Sequence, residues 1–394
     1  MTKSTTFCAS PWVGLQVNTN GTLVPCCEFN QVNSGFGKFY TFREYDQWQA
    51  NVMAPLKQDL LNDTKSPGCN NCWSRESVDL STGHAANSLR TSINSMFGDV
   101  DTDLNIAQPP KSLTVMFGNF CNLRCIQCSP VCSSSHQTEQ RLNRVKFQEL
   151  GLYQVDEHAE KKWWHTTEFV DFLNKVSQDV QHVFLHGGEP LITPEAVAFL
   201  ENIPNPGDIE LSLTTNATVL TDQVYELIKK FKRISVVVSL EGVGAHNDYL
   251  RYGGDWDTIA TNIQRFQTLP NLTHNKVVIN HTLQYTSQFS LVPLIDFCHD
   301  NNLILRIGKL SGVDHLGING MTDQQHQQFV DGLIASKEQH AQCTESVNAA
   351  EYALNFLSTH QHDAELNKKF YKYIRMIDSI RGTNYFEVFG ELDK

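Results

Sequence analysis

Three cysteines, Cys121, Cys125 and Cys128, stand in the spacing C-x3-C-x2-C directly after the apolar run Leu113 to Phe117. Thiolates packed this closely are soft ligands, and iron–sulfur clusters and zinc are the guests that suit them. A structural metal site is normally closed by four protein ligands, so three leave a position for something else. Cys132 extends the run to C-x3-C-x2-C-x3-C. A four-thiolate cluster that only transfers electrons therefore stays open as an alternative.

Five more of the 11 cysteines lie in the first 72 residues: Cys8, Cys26, Cys27, Cys69 and Cys72. Alternating residues around Asn20-Gly21 predict a β-hairpin that returns Cys8 towards Cys26 and Cys27. A helical stretch from Thr41 to Leu61 then leads to the C-x2-C pair Cys69 and Cys72. Cys8, Cys26, Cys69 and Cys72 make four thiolates, enough for a closed iron–sulfur or zinc site, and Cys27 is an alternative to Cys26. Cys298 and Cys343 stand alone and read as small buried apolar residues.

The elements that position these residues follow a repeating order. Leu113–Phe117, His182–His186, Glu210–Thr214, Ile234–Leu240, Lys276–Leu283 and Leu303–Ile307 read as strands. Pro194–Asn202, Asp222–Phe231, Trp256–Thr268 and Ser290–His299 read as helices between them. Near-continuous apolar strands separated by helical crossovers indicate a parallel α/β sheet with helices outside, either open or curved into a partial barrel. Ser129 to Gln181 is an over-long crossover that contains Gln137–Leu150 and Trp163-Trp164, and reads as an active-site cover or binding element. Val78–Phe97 reads as a helix, and Thr322–His340, Ser346–Thr359 and Asp363–Arg381 as a helical tail. The expected domains are residues 1–98, a linker at 99–110, the barrel at 111–311 and a helical extension at 312–394.

A net charge of −12 argues against a broad nucleic-acid surface. No run approaches the roughly 20 apolar residues of a membrane span, and thiols clustered without a signal peptide point to the reducing cytoplasm.

Ligands of parallel α/β sheets bind beyond the carboxyl ends of the strands. The polar signals fall there: the cysteines after the first strand, His186-Gly187-Gly188-Glu189-Pro190 after the second, Thr214-Thr215-Asn216 after the third, and Ser239-Leu240-Glu241-Gly242 after the fourth, with Arg251 beyond. Singly, a Gly-Gly-Glu is a turn with a solvated acid and a Thr-Asn is a helix cap. Together they mark one rim.

The cysteine motif, Gly187-Gly188-Glu189-Pro190 and the order of six β/α units resemble the radical S-adenosylmethionine (SAM) superfamily over Lys111 to Ser311. The resemblance implies a partial (β/α)6 TIM-type barrel and a [4Fe-4S] cluster on Cys121, Cys125 and Cys128, with S-adenosyl-L-methionine chelating the fourth iron. It implies Gly187, Gly188 and Glu189 at the methionine amino group, Thr215 and Asn216 at the ribose, and Ser239 or Arg251 at the carboxylate. Where the family often has an aromatic residue near the adenine this chain has Gln127, which implies contact through backbone or an amide. Phe7 to Arg75 resembles the auxiliary-cluster modules called SPASM or twitch domains, placed here before the barrel. This implies one auxiliary [4Fe-4S] cluster on Cys8, Cys26, Cys69 and Cys72.

The implied activity is reductive cleavage of S-adenosylmethionine to a 5′-deoxyadenosyl radical and hydrogen abstraction from a peptide or protein, an oxidoreductase-type or peptide-modifying reaction. Electrons would come from a partner such as flavodoxin or ferredoxin. A sugar-like or nucleoside metabolite is the alternative substrate, and a non-catalytic electron-transfer or binding protein the alternative of another class.

Overall fold

The computed structural model describes residues 4–81, 88–104, 109–154, 162–310 and 312–390. Its strands are β1 (Gly14–Val17), β2 (Leu23–Val24), β3 (Ser112–Val115), β4 (His182–Leu185), β5 (Glu210–Thr215), β6 (Arg233–Ser239), β7 (Val278–Leu283) and β8 (Ile304–Lys309). They hydrogen-bond in the order β8-β7-β6-β5-β4-β3-β1-β2. The pairs β3/β4, β6/β7 and β7/β8 are parallel. β3 to β8 thus lie side by side in chain order with helices in the crossovers, the (β/α)6 arrangement of the expected partial barrel. Two compact units divide the chain.

The first unit comprises residues 1–119, 157–212 and 230–232. Its hairpin pairs Gln16 with Val24 and Val17 with Leu23, and Gly21 takes the left-handed backbone (φ +79°) that the Asn-Gly turn demands. The hairpin also extends the parallel sheet: Gly14 to Val17 run in register with Ser112 to Val115. Three of the four residues of β1 are buried. Both edges of this buried strand are paired, one by β2 and the other by β3, so it leaves no open edge.

Trp163 and Trp164, expected in an active-site cover, belong to the core of this unit. Both are buried. Trp163 Nε1 donates to the Thr19 carbonyl at 2.9 Å, and its ring lies 4.6 Å from Phe169. Phe169, Phe172, Leu173 and Val176 bury one stripe of the helix Thr167–Val176, the i, i+3, i+4, i+7 spacing of an amphipathic helix. The helix expected over Val78–Phe97 is found as Asn70–Ser81 and Leu89–Phe97; residues 82–87 lie outside the described residues.

The second unit comprises residues 120–156, 213–229 and 233–394. In β6, Ile234, Val236 and Val238 are wholly buried. Its crossover helices start at side-chain caps: Thr221 accepts from the Val224 N–H and Asp255 from the Thr258 N–H. The tail folds as Asp323–Gln339, Thr344–Leu357 and Ala364–Arg381, as expected, with a short Tyr385–Phe389 helix beyond. Among the described residues no helix is long and apolar enough to cross a membrane.

One position in the first unit tests the tryptophan packing. Gly118 has φ +65°, and a Cβ there would sit 2.3 Å from the Trp164 ring. Gly118→Ala should cost about 2–4 kcal/mol, from the positive φ and the overpacking together. Urea unfolding measures it; a cost below about 1 kcal/mol would show that the ring moves freely aside.

Candidate active site

The cysteine loop is shaped by a two-residue antiparallel ribbon in the second unit. Arg124 pairs with Tyr252 and Cys125 with Arg251. The Ile126 N–H donates to the Leu250 carbonyl at 2.9 Å, and a turn follows in which the Cys128 N–H donates to the Cys125 carbonyl at 3.1 Å. The ribbon therefore sets the Arg251 guanidinium beside the thiols. Arg251 is buried; burial opposes its charge, but the neighbouring Cys125, Glu241, Cys121 and Cys128, where ionised, favour it, and its pKa is raised.

Four carbonyls of the loop are taken by side chains. Ser135 donates to Cys121 at 2.7 Å, Ser133 to Leu123 at 2.6 Å, Arg381 to Arg124 at 2.7 Å and Tyr373 to Ile126 at 2.9 Å. Arg381 also forks onto Glu139, with bonds of 2.9 and 2.7 Å, and Arg124 Nη1 approaches Glu139 Oε1 at 3.3 Å. The Arg381 and Glu139 side chains are each 1% exposed. Such a pair depends on complete hydrogen bonding, because each charge buried alone is costly.

Glu241 stands at the centre of a second network. Its carboxylate accepts from Gln127 Nε2 at 2.7 Å, the Thr282 N–H at 3.1 Å and Gln284 Nε2 at 3.4 Å, and lies 3.6 Å from Arg251 Nη1. Burial pushes its pKa up to about 7, against the opposing pull of Arg251. His281 Nδ1 lies 3.3 Å from Glu241, but burial lowers its pKa to about 4. It is therefore a neutral imidazole near pH 7 and forms no ion pair.

The sequence-derived residues divide between the units. In the second, Asn216 Nδ2 donates to Asn122 Oδ1 at 3.0 Å and lies 3.9 Å from the Cys121 sulfur. The Thr215 hydroxyl accepts from the Ala217 N–H at 3.0 Å. Ser239 ends β6 in register with Asn280. Gly187, Gly188 and Glu189 lie in the first unit, just past β4. Gly187 has φ +111°, where a Cβ would press on Met116 at 3.0 Å. Glu189 is buried, and its Oε1 accepts from the Leu191 N–H at 3.1 Å. Sequence reasoning assigned no role to Glu241, Glu139, Tyr373 or Arg381. Only Glu241 carried a signal, in Ser239-Leu240-Glu241-Gly242 at a strand end.

The donor set fits an iron–sulfur cluster. Burial raises the Cys125 and Cys128 thiols above their ordinary pKa; Arg251 offsets this at Cys125, while Cys125, Cys132 and Cys121 add to it at Cys128. Thiols held neutral in this way ionise when bound iron supplies positive charge. Gln127 Oε1 and Arg251 Nε are buried without a protein partner, one acceptor and one donor free for a polar ligand. No group of three or more His, Cys, Asp or Glu among the described residues is gathered as around a single ion. A cubane, with each thiolate on a different iron, holds its ligands further apart.

In the first unit, Cys8, Cys26, Cys69 and Cys72 line one cavity with Phe29, Trp73 and Arg90, whereas Cys27 is exposed. Burial pushes Cys8 and Cys69 up to about 12, and Cys26 is also raised, chiefly by burial.

Three clustered thiols with a buried guanidinium beside them are a donor set suited to a metal cluster that takes a further ligand. Residues 115–285 match the family model of the Radical SAM superfamily, and this part of the chain is a radical SAM domain. Among curated relatives, the probable GTP 3′,8-cyclase of Methanococcus vannielii is 29% identical over 196 residues, 49% of this chain and 57% of that protein. The GTP 3′,8-cyclase of Campylobacter lari is 29% identical over 118 residues, 29% of this chain and 30% of that protein. The chain thus spans less than two thirds of these relatives' length. Among solved structures, Streptococcus suis SuiB bound to S-adenosylmethionine overlaps at TM-score 0.36 and 15% identity, over 84% of this chain and 69% of that one. Native anSMEcpe with bound AdoMet overlaps at TM-score 0.38 and 15% identity, over 57% and 60%.

Both buried networks give measurable outcomes in the metal-free protein. Arg381→Met leaves the buried Glu139 only the 3.3 Å bond from Arg124 and should cost about 3–5 kcal/mol in urea unfolding; a cost below about 1 kcal/mol would deny that the pair holds the loop. Glu241 has a raised folded-state pKa, so its contribution is fully present below its unfolded value of 4.5 and is lost as pH rises through about 7. His281, with a depressed pKa, runs the other way. The stability difference between wild type and Glu241→Gln should therefore shift by about 3 kcal/mol against wild type from pH 4.5 to 7.5. A difference constant with pH would mean Glu241 titrates normally.

Proposed function

We propose that this chain is a radical SAM enzyme in which Cys121, Cys125 and Cys128 hold a [4Fe-4S] cluster and Arg251 receives the carboxylate of S-adenosylmethionine. The observation that carries the reading is the register that puts Arg251 opposite Cys125. A buried guanidinium that close to the thiolates has the charge and fork geometry to hold a carboxylate there. When bound, the cluster and S-adenosylmethionine supply one-electron cleavage of the sulfonium and a 5′-deoxyadenosyl radical that removes hydrogen from an unreactive C–H bond. Gln127 is assigned to the adenine through backbone or its amide, Thr215 and Asn216 to the ribose, and Gly187, Gly188 and Glu189 to the methionine amino group. Ser239 is the alternative to Arg251 at the carboxylate.

In the same reading Cys8, Cys26, Cys69 and Cys72 hold an auxiliary [4Fe-4S] cluster, supported by their common cavity. The exposed Cys27 is not its ligand. Residues 1–98 form the auxiliary-cluster module, 111–311 the barrel and 312–394 its helical extension. The reaction oxidises a peptide or protein side chain, with electrons from a flavodoxin- or ferredoxin-like donor in the cytoplasm. A second substrate reading, a nucleotide or similar metabolite, is favoured by the similarity to proteins named GTP 3′,8-cyclase.

Reconstituted anaerobically, the chain should bind about eight irons, two cubanes of four, and form 5′-deoxyadenosine from S-adenosylmethionine and dithionite. Replacing Cys121, Cys125 and Cys128 together by Ala should halve the iron and abolish the product. Full iron with no 5′-deoxyadenosine would sink the enzymatic reading, and zinc retained on the N-terminal cysteines would sink the auxiliary cluster. Isotope exchange into 5′-deoxyadenosine from deuterated peptides or from deuterated nucleotides separates the two substrate classes.

A further inference from the structure

We propose that the exposed face shared by the helices Ser134–Leu142, Arg144–Glu149 and Ala364–Arg381 is the docking surface for an acidic one-electron carrier protein. The inference rests on the reading above only in needing an outside source of electrons. On this face Leu142 is 80% exposed and Val145 67%, two large aliphatic side chains left in water. The run Arg141-Leu142-Asn143-Arg144-Val145-Lys146 contains three cations and no acid. Lys146 Nζ donates to Ser379 Oγ at 3.0 Å, which joins this run to the helix Ala364–Arg381 as one surface. That helix adds the exposed Lys369 and Lys372, together with Lys368, which is paired to Glu365 at 2.8 Å. In a chain of net charge −12 these cations stand against the overall sign. Exposed aliphatics set among like charges mark a binding surface for a partner of opposite charge.

Buried side chains of two of these helices explain why the carrier would dock here. Glu139 bonds Arg381, and Arg381 bonds the carbonyl of Arg124, the residue before the thiol ligand Cys125. A donor seated over Leu142 and Val145 is thereby connected to the cluster loop through one layer of hydrogen-bonded side chains. A nucleic acid would also be drawn to the cations, but the two exposed aliphatics between them favour a protein.

The test uses the full, reconstituted chain and a reduced flavodoxin of net negative charge. In Arg144→Glu/Lys146→Glu/Lys372→Glu the flavodoxin-driven rate of cluster reduction should fall about tenfold or more, and the salt dependence seen in wild type should vanish. Iron content and reduction by dithionite should match wild type, and Leu142→Ser alone should weaken flavodoxin binding. Equal flavodoxin rates in wild type and the triple variant would overturn the proposal. A loss that dithionite shares would do so too, as would an oligonucleotide whose binding is lost in the triple variant while the flavodoxin rate is kept. Dithionite reduction of wild type without formation of 5′-deoxyadenosine would overturn the enzymatic reading alone, and the flavodoxin rates would still decide the docking surface.

Discussion

Two backbone pairs, Arg124 with Tyr252 and Cys125 with Arg251, are the constraint on which the site depends. A loop carrying three thiols has no reason of its own to keep them together, since burial and mutual repulsion both oppose their ionisation. The ribbon ties the loop to the segment after β6 and makes the nearest cation a consequence of register. Gly253, at φ +101°, is part of the same device, because a Cβ there would come within 3.2 Å of the Asn122 carbonyl. Only a glycine lets the two backbones close in this way without strain.

From that constraint follows the use of the C-terminal helix Ala364–Arg381. The loop's N–H groups bond within the protein at Ile126 and Cys128, and its carbonyls, where kept from water, need donors of their own. Arg381 and Tyr373 supply two of these, and Ser133 and Ser135 two more. The tail is therefore built into the site. Tyr252, whose hydroxyl donates to the Arg381 carbonyl at 3.2 Å, lies under the guanidinium groups of both Arg124 and Arg381, so removal of the helix would also leave the ribbon without its cover.

What the sequence revealed and what it hid divide along physical lines. All six barrel strands and the four assigned crossover helices were legible, because the strands bury every second position, mostly with apolar residues, and their helices write amphipathic stripes and polar caps. Glu139 and Arg381 were not: 242 positions apart, they meet only through the fold. The ribbon is two residues long, too short for any period to show. The hairpin was recognised as a hairpin, but its pairing with β3 depends on a partner almost 100 residues away. Trp163-Trp164 was read as part of a cover because its crossover is long, yet the pair is packed into a core by Phe42 and Phe169. Length alone said nothing of which residues within the crossover were buried.

The two cysteine sets also differ in the charge left over for a ligand. Beside the N-terminal four, Arg90 forks onto Glu76 with bonds of 2.9 and 2.5 Å. Burial pushes the Glu76 carboxyl up, but the bonds from Arg90 and Ser88 outweigh it and hold the pKa below its usual value. That pair is fully ionised at neutral pH and its charge cancels. Beside the three-cysteine loop, Arg251 faces a Glu241 whose pKa of about 7 leaves the acid only partly charged. The guanidinium there keeps a net positive field, and its Nε has no protein partner. Four thiols with a neutralised ion pair suit a closed cluster that takes no anion, whereas three thiols beside an uncompensated guanidinium suit a cluster whose last ligand arrives with a carboxylate.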